Sequence, residues 1–442
     1  MLLMVAAAVA CGAARGATRH VLIEAGVHRS MRKFMPISSP TRPAEATDDH
    51  RRIGTAGVIA FYLTSVLGPG ILIVPAITYD TAGPASIVAW ALLLLVSWPF
   101  ASTFAAMAIA HPEQSGVAGF VGGVWGKAAG QAALLILCVI MGVGNPIFGV
   151  AAARYLDHVV PLGSEARVLA VGYLILLVSV GFNLLDVRAG AWLQTGLIGV
   201  LLLVLVGASL VAFRHFRPDA LTPFFPHGLA GVGLAMTIGF YSFTGWENVN
   251  AIASDVRRPD RAFSRAIPVT LLIVGGIYLL VVFAYTGVVG AGRSGTVLAT
   301  LLAASESPIA LVGGNLMAIF LIVSAANSWV LGATRLFCAL GEQGLAPAVL
   351  ARRNARGAPV PALLVLTACY GVTVAAMVLF GLKEGDLIVF ADAGFYVIYL
   401  LGFSAAWRKF GGAARRQAAF SLLVVLALVA GALLPALHKV AG

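Results

Sequence analysis

Two long apolar runs of this chain are broken at mid-length by glycine, and the breaks limit what it can fold into. The first reads Leu67-Gly68-Pro69-Gly70-Ile71 and the second Phe243-Thr244-Gly245-Trp246-Glu247. A backbone N–H or C=O left without a partner in hydrocarbon costs several kcal/mol, so a break survives only where it is buried in protein or lines a cavity. Paired breaks at corresponding places in two halves of a hydrophobic chain mark the binding site of a secondary transporter.

The runs themselves are membrane spans, since about 20 apolar residues cross a bilayer. The chain is 60% hydrophobic and only 11% charged, against roughly 25% charged in a soluble domain. Eleven spans are predicted: Gly54–Asp80, Pro84–Ala110, Ala128–Ala153, Val168–Leu185, Gly190–Phe213, Leu229–Ser254, Ala266–Gly290, Pro308–Leu340, Pro361–Phe380, Asp386–Trp407 and Ala418–Leu437. A twelfth is not visible. Fifty glycines suit close helix packing in lipid.

The net charge of +11 raises nucleic acid as a partner, but its placement argues against it. With the N-terminus inside, cytoplasmic segments carry 22 of the 29 Lys and Arg; the outer ones carry Arg154, Arg167, Arg214, Arg217, Arg293, Lys383 and Lys439. That asymmetry reports topology. A multi-pass protein of a bacterial inner membrane is expected, with the bilayer as its partner. Cys138, Cys338 and Cys369 fall in apolar helices and Cys11 in the N-terminal tail, so no outer pair offers a disulfide. Residues 1–53 are expected to be a disordered tail, or an over-extended gene start with Met31 or Met35 as initiators.

Residues 54–407 divide into two halves, about 54–213 and 229–407, with 418–437 as an additional helix. Five spans per half is odd, so the second half is inverted relative to the first. The Gly-rich segment Gln114–Gly126 and the basic links Asp255–Arg265 and Gly341–Pro359 read either as solvated loops or as parts of a moving inner gate.

Three motifs in order resemble the amino acid–polyamine–organocation superfamily: Gly68-Pro69-Gly70-Ile71-Leu72 with Pro75-Ala76; Phe240–Glu247 with Asp255-Val256-Arg257-Arg258-Pro259-Asp260-Arg261; and Trp329 and Arg335 with Gly341–Pro347. The run Leu67–Ala89 is similar to the bacterial exporters of methionine and branched-chain amino acids. The resemblance implies an all-α five-plus-five inverted-repeat fold with broken first and sixth helices, alternating access and an amino acid substrate. It implies proton coupling, with sodium as the alternative that Ser324 and Ser328 leave open. Export of neutral apolar amino acids leads; an importer or exchanger of amino acids or amines remains the alternative.

A free amino acid brings a carboxylate and an ammonium to mid-membrane. The restarted helix after the first break offers N–H groups at Gly70, Ile71 and Leu72 and a positive dipole end. Carbonyls at Val66, Leu67, Tyr241, Phe243 and Thr244 are candidate acceptors for the ammonium, with Gly68 and Gly245 as the hinges. Pro69 stands where many relatives have an N–H donor, and its ring removes one. The resemblance places Asn145 and Trp329 along the pocket, with Phe243 and Trp246 flanking the second break. Interhelical bonding for Asn145 and packing for the tryptophans are the plain alternatives. Glu247 is the candidate proton carrier or gate, against a structural bond to the unwound first helix, and Asp392 is the candidate outer gate.

No cofactor or metal is expected, and nothing in the sequence gives an oligomeric state. The chain lacks the clustered acids, bases and nucleophiles of an intramembrane enzyme, the phosphate-binding G-x-x-x-x-G-K-[ST] loop and the charged rings or carbonyl filter of a channel.

Overall fold

Among the described residues, ten helical segments are long and apolar enough to cross a membrane, and the first span read from the sequence is split in two. The computed structural model describes residues 53–68, 70–111, 116–184, 191–289, 296–303, 306–354 and 357–441. Residues 1–52 of the expected tail and Pro69 lie outside the described residues.

The first span is α1 (Thr55–Val66) and α2 (Gly70–Ala82), and α3 (Ser86–Ala110) returns antiparallel to α2. Trp90 Nε1 donates to Thr78 Oγ1 across that hairpin at 3.0 Å. The third span is two helices, α5 (Lys127–Gly144) and α6 (Pro146–Asp157). Pro146 has no N–H to continue the ladder, which places the joint at Asn145. Then follow α7 (Glu165–Leu184), α8 (Ala191–Ala212), α9 (Gly228–Gly239), α10 (Pro259–Val288), α12 (Pro308–Glu342), α13 (Val360–Phe380), α14 (Glu384–Lys409) and α15 (Gly412–Ala441). Two short helices lie between spans: α4 (Gly116–Trp125), and α11 (Val297–Ala303) between α10 and α12. This is the all-α inverted-repeat fold, with α15 as the added helix packed on α14, α9 and α3.

The segment expected as a loop or gate piece after the second span is thus a helix. Val117, Phe120, Val121 and Val124 recur at helical spacing, and the first three are buried. One of its glycines, Gly122, serves packing: a Cβ on Gly130 of α5 would lie 2.9 Å from both Ala118 O and Gly122 Cα. Composition hid this, because glycine reads as loop in water but as close contact between helices in lipid. The link Gly341–Pro359 is also partly packed, with Leu350 and Ala358 buried.

Large apolar side chains face outward along the bundle, Leu203 at 75% and Leu272 at 77% exposed among them. In water such a belt would be a liability; against lipid tails it is the expected surface. Inside, Trp90, Phe243 and Tyr278 meet edge to face or tilted, with ring centroids 5.1–5.6 Å apart.

Candidate substrate site

The first break is a stop and restart of helix. Leu67 N closes the last turn of α1 on Leu63 O at 2.9 Å, Gly68 N turns back to Val66 O at 2.8 Å, and α2 begins at Gly70. The first-turn amides of α2 have no acceptor within their own helix, and Pro75 leaves the carbonyl of Ile71 without its usual donor.

The second break is longer. After α9, Phe240–Phe243 tightens to a 3-10 turn and Thr244 is extended. Gly245 sits at φ +116°, which side chains disfavour, and Trp246–Ala251 continues as 3-10 rather than α-helix. Glu247 closes the gap: its carboxylate accepts the Gly245 N–H at 3.1 and 3.0 Å and the Tyr399 hydroxyl at 2.7 Å. The partner expected on the first helix is instead on Glu247's own span and on α14.

The two breaks touch. A Cβ on Gly245 would lie 2.5 Å from Ser65 O, and one on Gly70 would lie 2.8 Å from Ser242 Oγ. Tyr278 of α10 bridges them, its one hydroxyl hydrogen facing both Val66 O and Ser242 O at 2.9 Å.

Below the breaks lies a cavity of about 1470 Å³. Leu67, Gly68, Leu72, Glu247, Trp329 and Phe395 line its head, and Ile53, Lys127, Gln131, Arg335 and Gln343 line the part reaching the face where α1 begins. The opposite face is shut. There Tyr155 Oη donates to Leu72 O at 2.9 Å and accepts from Leu298 N at 3.2 Å. Arg154 joins Glu384 at 2.6 Å and Glu165 at 2.5 Å, linking α6 with the starts of α14 and α7. Among the described residues, the cavity reaches the face where α1 begins and these contacts close the other.

Of the residues singled out from sequence, Leu67, Gly68, Glu247 and Trp329 stand on the cavity wall. Val66, Gly70, Ile71, Phe243, Thr244, Gly245 and Trp246 are buried and Tyr241 is partly so, and none of the eight lines the cavity. Trp246 is buried against Tyr62, ring centroids 5.2 Å apart. Tyr241 O accepts from Thr244 N and Oγ1. Asn145 donates from Nδ2 to Tyr370 Oη at 2.7 Å, an interhelical bond between the third span and α13. Trp329 packs on Phe148 at 5.8 Å. Asp392 is fully buried in α14, away from the cavity wall. Ser324 and Ser328 line the cavity, and among the described residues no cluster of three His, Cys, Asp or Glu is placed to hold a metal ion.

Sequence reasoning passed over Tyr278, Tyr399 and Tyr155. Their signal was present: a phenol in an apolar helix must find a partner for its hydroxyl, and in a broken-helix protein the freed carbonyls are the partners at hand.

Residues 53–436 match the family model described as amino acid permease. An uncharacterised amino acid permease of Bacillus subtilis, YecA, is 26% identical over 355 residues, 80% of this chain and 84% of its own. The L-methionine/branched-chain amino acid exporter YjeH of Escherichia coli is 28% identical over 391 residues, 86% of this chain and 91% of its own. The crystal structure of MhsT in complex with L-phenylalanine superimposes with a TM-score of 0.60 at 15% identity, covering 86% of this chain and all of that one, and so shares the fold.

Proposed function

The chain belongs to the amino acid permease family, and from that premise we propose that it is a proton-coupled exporter of neutral apolar amino acids, methionine and the branched-chain set, working by alternating access. The observation that carries the reading is the pair of crossed breaks at the head of a one-sided cavity. First-turn amides of α2, which have no acceptor within their own helix, suit a carboxylate, and backbone carbonyls at the two breaks suit an ammonium. Trp329, Leu67, Leu72 and Phe395 offer apolar surface to the side chain. Glu247 is the one acid among the cavity's lining residues, and its backbone and Tyr399 bonds already engage it, which favours an uncharged guest side chain.

The basic residues near the cavity mouth, Lys127 and Arg335, match the cytoplasmic side of a positive-inside protein. On that assignment the structure is the inward-facing form, with the N-terminus in the cytoplasm of a bacterium and the loading side open to internal amino acid. The similarity to the methionine and branched-chain exporter supports both substrate class and direction.

Counterflow in proteoliposomes across a panel of amino acids, with and without a pH gradient, tests substrate and coupling together. Methionine, leucine, isoleucine and valine are expected to exchange, and lysine and glutamate are not. Direction is read in cells loaded with a methionine dipeptide. Retention of methionine equal to that of a strain lacking the transporter would overturn export.

A further inference from the structure

Asp392 is the buried acid that the site above leaves unused. Neither of its carboxyl oxygens makes a hydrogen bond of ordinary geometry, although the peptide N–H of Tyr241 in the broken sixth span is directed toward it. A charged side chain inside a membrane costs several kcal/mol unless paired, and such residues mark ion and proton pathways. The elements packed along α14 include α5, α6, α9 and the turn at Phe240–Phe243. Among the described residues, the titratable groups that interact with Asp392 are Tyr241, Tyr396 and Tyr399. The charged pair Arg154–Glu384 lies about two turns nearer the start of α14.

Asp392, Tyr396 and Tyr399 stand at i, i+4 and i+7, one face of one helix, and all three are buried. Helical side chains lean toward the N-terminus, and the Tyr396 hydroxyl, between the other two, makes no hydrogen bond of ordinary geometry. Phe240 packs on both tyrosine rings, at 4.6 and 5.3 Å, and seals the row from the sixth span. At its other end Tyr399 donates to Glu247, which lines the cavity.

We propose that Asp392 is a second proton-holding carboxyl, loaded from the face opposite the cavity and acting in series with Glu247 through the tyrosine row. The inference rests on the proton-coupled reading above. One proton enters on Asp392 when the opposite face opens. The Tyr399 hydroxyl passes its proton to the Glu247 carboxylate and regains one from the Asp392 side, and Glu247 releases one into the cavity. Only O–H bonds form and break, and the proton gained on one face equals the proton lost on the other.

The test uses the full chain in proteoliposomes with labelled L-methionine and a pH-sensitive dye. Methionine counterflow at equal pH is read beside methionine-coupled proton flux. Asp392→Asn should keep counterflow within about twofold and lose coupled proton flux by about tenfold or more. Tyr399→Phe, which also takes the hydroxyl away from Glu247, should lose coupled proton flux by a similar factor. Coupled proton flux that survives in Asp392→Asn overturns the proposal, as does equal loss of both readouts, which would mark a packing role. Should the Asn variant not insert, Asp392→Glu keeps the acid and must shift the pH dependence of coupled flux; an unmoved profile overturns the proposal. Wild-type counterflow without any coupled proton flux, or with sodium in the proton's place, sinks the proton-coupled reading itself and this inference with it.

Discussion

The hydroxyl of Tyr278 lies 2.9 Å from the carbonyl of Val66, at the point where the first transmembrane helix stops. The same hydroxyl lies 2.9 Å from Ser242 O, so a single phenol on α10 holds the ends of both broken spans. Alternating access moves such ends relative to their neighbours. A bond that the arrangement seen here makes and another arrangement must break biases the equilibrium between them.

Tyr278→Phe removes that one donor; Val66 O keeps the Gly68 N–H, while Ser242 O loses its hydroxyl partner, a cost of about 1–3 kcal/mol. The ring's packing on Trp90 and Phe243 survives. The expected result is a protein that inserts and folds but melts lower in detergent and transports more slowly, with the maximal rate falling more than apparent affinity. Thermal stability and a substrate saturation curve on the purified variant check this.

Gly245 and Gly70 are expected to tolerate no side chain, for different reasons. Gly245→Ala places a methyl 2.5 Å from a backbone oxygen of Ser65, in a conformation that already disfavours L-residues by about 1–2 kcal/mol. Gly70→Val drives its branched side chain into Ser242, whose backbone Cα would be 3.3 Å from the new Cβ. Both should abolish counterflow while membrane insertion, read by expression of a fluorescent fusion, stays near wild type. Normal flux in either would remove the crossed breaks as the transport site.

How far the sequence reaches can be seen at these same residues. Gly68, Gly70 and Gly245 were legible because a glycine in an apolar run has few explanations in lipid, and the spanning helices followed from run length. Glu247 was legible as an ionisable group beside a break. Its partner was not: Tyr399 lies 152 residues away, and no local pattern points from one to the other. The helix Gly116–Trp125 was hidden by composition, its valine and phenylalanine stripe outweighed by glycine. Trp246 and Phe243 were correctly tied to the break, yet which face of a 3-10 turn meets a cavity depends on packing against Tyr62 and Trp90, which the sequence does not state.

Glu247→Gln keeps the shape of the side chain and an acceptor for Gly245 N–H and Tyr399, but removes the proton chemistry. Counterflow is expected to lose its pH dependence while apparent affinity for methionine changes by less than about threefold. A wild-type pH profile in the variant would leave Glu247 as a cap on a broken helix and nothing more.

Arg154 is expected to set how firmly the face opposite the cavity is shut. Its guanidinium ties the end of the third span to Glu384 at the start of α14 and to Glu165 at the start of α7. Glu165 is mostly exposed and its share is small; Glu384 is largely sheltered and should carry more. Arg154→Gln breaks both contacts, and a loss of about 1 kcal/mol would move the balance between facings by roughly fivefold. A single cysteine placed at Leu298, buried beside Tyr155 on the shut face, would report the change: its labelling by a membrane-impermeant maleimide from outside should quicken in the Arg154→Gln background. Equal labelling rates in the two backgrounds would show that the tyrosine contact, Tyr155 to Leu72 and Leu298, closes that face without help from the ion pairs.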